Sequence, residues 1–177
     1  MRIKSLIKLS DCKKCQSCCK FKKDAFDWAP VFSSEEKEKI ERLRGKKFSF
    51  KNYQGAKDLF QLELVRSKKK NNLYVCPFLN EDKQLCEIQK IKFLDCKIWP
   101  FVVMRSKDGK FVNLFCFNGK ICPGIKNLSG QKLKKYGLYL KRKFQSPQGL
   151  KFIRRHLKFV WKYDPDTIFI TKITKTI

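Results

Sequence analysis

Apolar residues recur at helical spacing chiefly in the last third of this 177-residue chain. Leu133, Tyr136, Leu140 and Phe144 share one side of a helix expected from about Gln131 to Phe144, with Ser129 near its cap. Ser146-Pro147 opens a second helix, a capping residue followed by proline at the first helical position. Continued at 3.6 residues per turn, that helix places Lys151, Arg154, Arg155, Lys158 and Lys162 within an arc of roughly 100°. Leu150, Phe152, Ile153, Leu157, Phe159, Val160 and Trp161 cover the rest, so it buries most of its surface and shows water one basic stripe. The tail from Ile168 alternates with Thr and Lys, as an edge strand does.

The rest of the chain is more broken. Ala29-Pro30 marks a turn, and Ser33 with Glu36 has the spacing of a capping box for a helix carrying Ile40 and Leu43 and stopping at Gly45. Residues 46–72 are ambiguous, with a short helix expected around Ala56 to Leu64 and a basic turn at Lys68 to Asn72. Leu73 to Leu79 reads as extended, residues 80–83 as a turn, and Gln84 to Cys86 as the return. Ile98 to Arg105 and Phe111 to Phe117 flank a hairpin turn with Gly109 where a positive φ is wanted. Pro100 implies an edge or a late start for the first of these strands. The pattern predicts an α+β fold, small and loop-rich, with short strands and two C-terminal helices. It predicts a single domain over 1–177: a region of about 11–125, then a helical extension of about 126–177.

Charge changes that picture in one place. The formal net charge is +26, and Gly109 to Tyr163 contains no Asp or Glu. A lysine-rich helix face is ordinarily just solvated, but a stretch without acids has nothing internal to neutralise it. It predicts an acidic partner, protein or nucleic acid, with Lys132, Lys135, Arg142, Lys151, Arg154, Arg155 and Lys158 as candidate phosphate contacts. The aromatics follow core spacing, which disfavours base stacking. No apolar run approaches the roughly 18 residues of a membrane span. Lysines at positions 4 and 8 interrupt the apolar region that a signal peptide needs, so a cytoplasmic location is expected.

Nine cysteines need explaining in a reducing compartment, where metal chemistry is favoured over disulfides. Four of them, Cys12, Cys15, Cys18 and Cys19, fall in the stretch D-C-K-K-C-Q-S-C-C-K. Two-residue spacers let successive thiolates turn toward one point. Adjacent Cys18 and Cys19 diverge in regular structure, so both serve one site only from irregular backbone, or they serve two.

Cys76-Pro77-Phe78-Leu79, Cys86-Glu87-Ile88, Cys96-Lys97-Ile98-Trp99-Pro100-Phe101 and Cys122-Pro123-Gly124 follow. With the opening C-x-x-C-x-x-C-C they resemble the CxxCxxCC family of zinc- or iron-chelating, YkgJ-type cysteine-cluster proteins, over about Cys12 to Ile125. The resemblance implies a metal-stapled domain whose ligands are Cys12, Cys15, Cys18, Cys19, Cys76, Cys86, Cys96 and Cys122. Cys116 is a further candidate that reads better as a small buried thiol. The chain departs from the family at Gln89, where relatives carry Tyr, and at Lys92-Phe93, where they carry Arg-Pro. Lysine keeps the charge and loses the planar fork of arginine.

Eight sulfurs exceed one four-coordinate site, so there are two sites or some are spare. Four-cysteine zinc sites favour paired ligands with a long gap between pairs. A C-x2-C-x2-C run with a distant Cys-Pro is an iron–sulfur arrangement, which favours a 4Fe–4S cluster over zinc. A structural or electron-transfer role follows. Flagellin lysine N-methylases look similar in their cysteine cluster, which implies methyl transfer as another class, but no feature is assignable to an S-adenosylmethionine site. No phosphate loop, nucleophile elbow or carboxylate pair is visible. His156 reads as a core histidine before an extra ligand. Asp11 and Asp95, each preceding a ligand, read as surface residues before acceptors behind the ligands. The metal reading requires the sulfurs of Cys12, Cys76 and Cys96 to meet.

Overall fold

The computed structural model describes residues 1–119, 121–126 and 128–175. Among the described residues, short antiparallel strands and five α-helices make an α+β fold. The chain falls into two compact units, a cysteine unit (Lys8–Cys96) and a basic unit (Met1–Ile7 with Lys97–Ile177).

The cysteine unit begins with helix α1 (Leu9–Cys15) and holds strands β1 (Lys20–Phe21), β2 (Val31–Ser33), β3 (Phe50–Asn52), β4 (Leu59–Leu62), β5 (Val65–Arg66), β6 (Tyr74–Val75), β7 (Leu79–Asn80) and β8 (Leu85–Cys86). Helix α2 (Ser34–Arg44) follows β2 and starts at the predicted capping box. The Glu36 N–H donates to Ser33 Oγ at 3.3 Å and the Ser33 N–H donates to the Glu36 carboxylate at 3.2 Å. The helix stops at Gly45, whose φ of 62° suits glycine.

Two three-stranded sheets, ordered β2-β4-β3 and β1-β6-β5, and the hairpin β7-β8 complete the unit. The helix expected around Ala56 to Leu64 is instead the central strand β4, paired on both sides. Tertiary pairing overrides local preference here: Gln61 is buried, and its side-chain amide meets the carbonyls of Phe26, Asp27 and Ala29 at 3.0–3.2 Å. The extended run from Leu73 breaks at Cys76, where the Leu79 N–H turns back to the Cys76 carbonyl at 2.8 Å.

The core of this unit is Phe32, Ile40, Leu62, Cys76, Phe78, Ile88 and Phe93, with Cys19, Phe48, Phe50, Cys86 and Ile91 packed against it. Phe32 meets Phe50 and Phe93 edge to face at 5.5 and 5.4 Å, geometry worth about 0.5–1.5 kcal/mol a pair beyond area burial. Three sulfurs are therefore part of the hydrophobic layer itself.

Helix α3 (Leu94–Ile98) carries Cys96. In the basic unit, strands β9 (Phe101–Arg105), β10 (Phe111–Phe117) and β11 (Thr167–Lys175) form an antiparallel sheet with β10 central. The β9–β10 turn uses Gly109 at φ 72°, as its sequence predicts, and β9 starts after Pro100. The tail pairs along one sheet edge.

Helix α4 (Gly130–Gln145) buries Gly137, Leu140 and Phe144. A Cβ on Gly137 would lie 2.4 Å from Ile170 Cγ2, so glycine permits the close approach of helix to β11. Helix α5 (Pro147–Arg155) is shorter than its periodicity predicts. It ends at Arg155, and Leu157–Phe159 forms a 3-10 turn. Trp161 then joins the sheet, its N–H donating to Val103 O and its carbonyl accepting from Arg105 N–H, both at 2.9 Å. Backbone pairing at the β9 edge captures the segment that would have continued the helix. Lys158 and Lys162 therefore leave the helical stripe, and Leu157 is 41% exposed.

Candidate metal centre

Four segments of the cysteine unit supply its sulfurs. Helix α1 carries Cys12 and Cys15, three residues apart and so on one face. Gln16, at φ 55°, ends the helix, and Cys18 and Cys19 follow in a turn. That irregular backbone is what lets the adjacent side chains of Cys18 and Cys19 act on each other. Cys76 sits at the turn after β6, Cys86 ends β8, and Cys96 lies on α3.

These side chains act on one another. The hydrogen bond to Cys19 and burial push the Cys18 thiol well above its usual range. Cys19 is lowered by that hydrogen bond, yet burial and the neighbouring Cys76, Cys96 and Cys86 leave it raised. Burial pushes Cys76 up to about 12, with Cys86 and Cys18 adding to it. Cys86 and Cys96 are raised chiefly by burial, and Cys12 likewise, against the pull of Lys92. Cys15 adds to the fields at Cys12 and Cys18, and its sulfur is 2.8 Å from Ser17 Oγ. Seven of the eight expected ligands thus share one electrostatic neighbourhood, Cys12, Cys76 and Cys96 among them.

A cation lies among them. Lys92 is buried, and its Nζ is 3.7 Å from Cys12 Sγ. Burial lowers its ammonium, but Cys12, Cys96, Cys18 and Cys86 together hold it above the usual lysine value.

The eighth expected ligand, Cys122, belongs to the basic unit and is buried there beside Cys116. Burial, with Cys122 adding, pushes Cys116 up to about 12, and its thiol donates to Phe117 O at 3.3 Å. His156 is buried at the end of α5, its ring 4.6 Å from that of Phe152. Lys132, Lys135, Arg142, Lys151, Arg154, Arg155 and Lys158 are all exposed.

Asp95 corrects the sequence reading. Its carboxylate accepts from the Val31 N–H at 3.0 Å, and burial raises it to about 6. Lys92 and Asp95 were the features hardest to find by sequence: the available signal was a charged residue inside the apolar run Ile91 to Leu94.

A family model matches residues 11–122, beginning one residue before Cys12 and ending on Cys122. Its description is "Putative zinc- or iron-chelating domain", and its name is CxxCxxCC. The chain belongs to the CxxCxxCC family. No curated protein and no solved structure matches it. As a CxxCxxCC protein it is a zinc- or iron-binding cysteine-cluster protein. The donor set suits either metal, since soft thiolates select zinc and iron–sulfur clusters. Among the described residues no three Cys, His, Asp or Glu side chains are arranged to hold an ion. The sulfurs are gathered in one region without closing on one point. No helix among the described residues is long and apolar enough to cross a membrane.

Proposed function

We propose that the cysteine unit holds an iron–sulfur cluster, of the 4Fe–4S type, through thiolates drawn from Cys12, Cys15, Cys18, Cys19, Cys76, Cys86 and Cys96. The observation that carries this is the gathering of sulfurs from four chain segments into the surroundings of Lys92, though they do not close on one point. The opening C-x2-C-x2-C run favours iron–sulfur over zinc. Bound there, such a group supplies a covalent cross-link and one-electron chemistry. The chain's own contribution is to deliver four segments to one place and to exclude water with Phe32, Phe78 and Phe93. Metal bound in this layer would act as a structural staple or pass electrons to a partner.

The test is anaerobic purification with metal and sulfide analysis and a visible spectrum. Brown protein with stoichiometric iron and sulfide is expected. Colourless protein with stoichiometric zinc defeats the cluster and leaves the metal site. Protein that takes up neither defeats both.

A second reading concerns the basic unit, whose 21 Lys and Arg face only 3 Asp and Glu, a formal +18. The exposure of all seven candidate phosphate contacts favours binding to a polyanion such as nucleic acid. A salt series with generic duplex DNA should show affinity that falls steeply with salt. Absence of binding at low salt rules it out.

A further inference from the structure

Of 42 Lys and Arg in the chain, Lys92 alone is buried among the described residues, and it is buried against sulfur. A buried ammonium is costly unless an anion faces it. Lysine ordinarily avoids that cost by extending its stem until the charge reaches water. Lys92 does not. Its backbone follows the 3-10 turn Gln89–Ile91 and precedes Phe93, which is buried against Phe32. With Ile91 and Phe93 both in the core layer, the side chain between them is directed to Cys12 Sγ, 3.7 Å away. The groups that favour its charge are Cys12, Cys96, Cys18 and Cys86, from three separate segments. Four thiolates on a divalent ion, or on a cluster, leave excess negative charge in a hydrophobic layer.

We propose that Lys92 is the resident counter-cation of the thiolate site, donating an N–H···S hydrogen bond to Cys12 and offsetting the negative charge of the loaded centre. It is a positioning residue, not a ligand. The inference rests on the metal reading above, and it makes charge at residue 92 a determinant of how tightly metal is held. Removing it leaves the sulfurs in place and strips the loaded centre of its neutralising partner. Keeping the charge in another shape preserves the effect.

Zn2+ is the probe, titrated against a chromophoric chelator into full-length wild type, Lys92→Met and Lys92→Arg. Lys92→Met should bind Zn2+ about 10–100-fold more weakly, the size of effect usual for groups behind metal ligands. Lys92→Arg should stay within about threefold of wild type, as retained charge implies. Melting gives a second readout. Lys92→Met should lower the melting temperature of the zinc-loaded form well beyond any shift in metal-free protein, because only the loaded centre carries fixed thiolate charge for Lys92 to offset. A purely structural lysine would shift both by the same amount. Unchanged affinity in Lys92→Met, or equal losses in both variants, overturns the proposal. Failure of wild type itself to bind Zn2+ or iron overturns the metal reading, and is told apart because it appears before any substitution.

Discussion

The cysteine unit and the basic unit solve the same packing problem with different materials. The basic unit covers one face of a three-stranded sheet with a 16-residue helix, and its buried residues include Phe101, Val103, Leu114, Phe117, Leu140 and Phe144. The cysteine unit has strands of two to four residues, and its core includes or adjoins Cys19, Cys76 and Cys86. Short strands supply few ladder hydrogen bonds, and fragments of this size are marginal without a staple. The charge follows the same division: 21 basic and 13 acidic residues in the cysteine unit, a formal +8, against +18 in the basic unit. The basic unit is held by a paired sheet and packed side chains; on the proposed reading, metal across the sulfurs completes the layer of the cysteine unit.

Metal removal should separate them most sharply. Structural zinc sites contribute on the order of 10 kcal/mol or more to folding. Chelation of full-length protein should therefore abolish hydrogen-exchange protection in segments 19–21, 59–62 and 74–80 while 101–105 and 111–117 keep theirs. Equal loss in both sets would show that the contrast is false. The same experiment has a pH dependence of fixed sign. Burial holds Cys76 at about 12 and Cys96 well above the usual thiol range, so metal must displace protons to bind there. Affinity for Zn2+ should rise by roughly tenfold or more per pH unit from 6 to 9, with proton release measurable in weak buffer. Without metal the sign reverses. Raised thiols keep their protons in the folded state where the unfolded chain loses them, so their contribution is complete below about pH 9 and falls as pH climbs toward 12.

Next in size are two core truncations. Phe32→Ala and Phe144→Ala each empty a fully buried ring site, at a cost of about 3–5 kcal/mol by chemical denaturation. Phe32 shares its layer with Cys76, Cys19 and Cys86, so only Phe32→Ala should also weaken Zn2+ binding. If Phe144→Ala weakens it equally, the two cores are not separable.

The same contrast explains what the sequence revealed. The basic unit was legible where local signals agree with tertiary ones: Ser129, Ser146-Pro147 and Gly109 all sit where their chemistry puts them. It failed past Arg155, because the β9 edge offers Trp161 backbone partners that no helical wheel contains. In the cysteine unit the capping box at Ser33 was plain, and spacing alone marked the sulfurs. The strand β4 was hidden, since β3 ends seven residues before it but its other partner, β2, ends 26 residues before it, farther than a local window reaches. Lys92 and Asp95 were hidden for a related reason. Charge predicts exposure unless the neighbours that neutralise it are known, and those come from elsewhere in the chain.

A smaller effect tests backbone fit in the basic unit. A Cβ on Gly149 would sit 2.3 Å from Lys143 O and 2.6 Å from Phe144 Cα and O. These are backbone atoms that cannot swing aside, so Gly149→Ala should cost about 1–3 kcal/mol and leave Zn2+ affinity unchanged.

The mildest pair is the most discriminating about wiring. Ser33 and Ser146 are both N-caps, and each accepts from a backbone N–H at the third residue beyond. Replacement by alanine should cost about 1 kcal/mol in either case. The surroundings differ. The Glu36 carboxylate that completes the Ser33 box also accepts from Leu94 N–H at 2.8 Å, at the start of the helix bearing Cys96. Freed from its box, Glu36 no longer fixes where that helix begins. Ser33→Ala should therefore weaken Zn2+ binding by a few-fold through misplacement of Cys96, as loss of support behind a ligand does. Ser146→Ala should lower the melting temperature by a similar amount with no change in affinity. Equal affinity in both variants would mean that the cap supports α2 alone and that Cys96 is positioned by the core around Phe93.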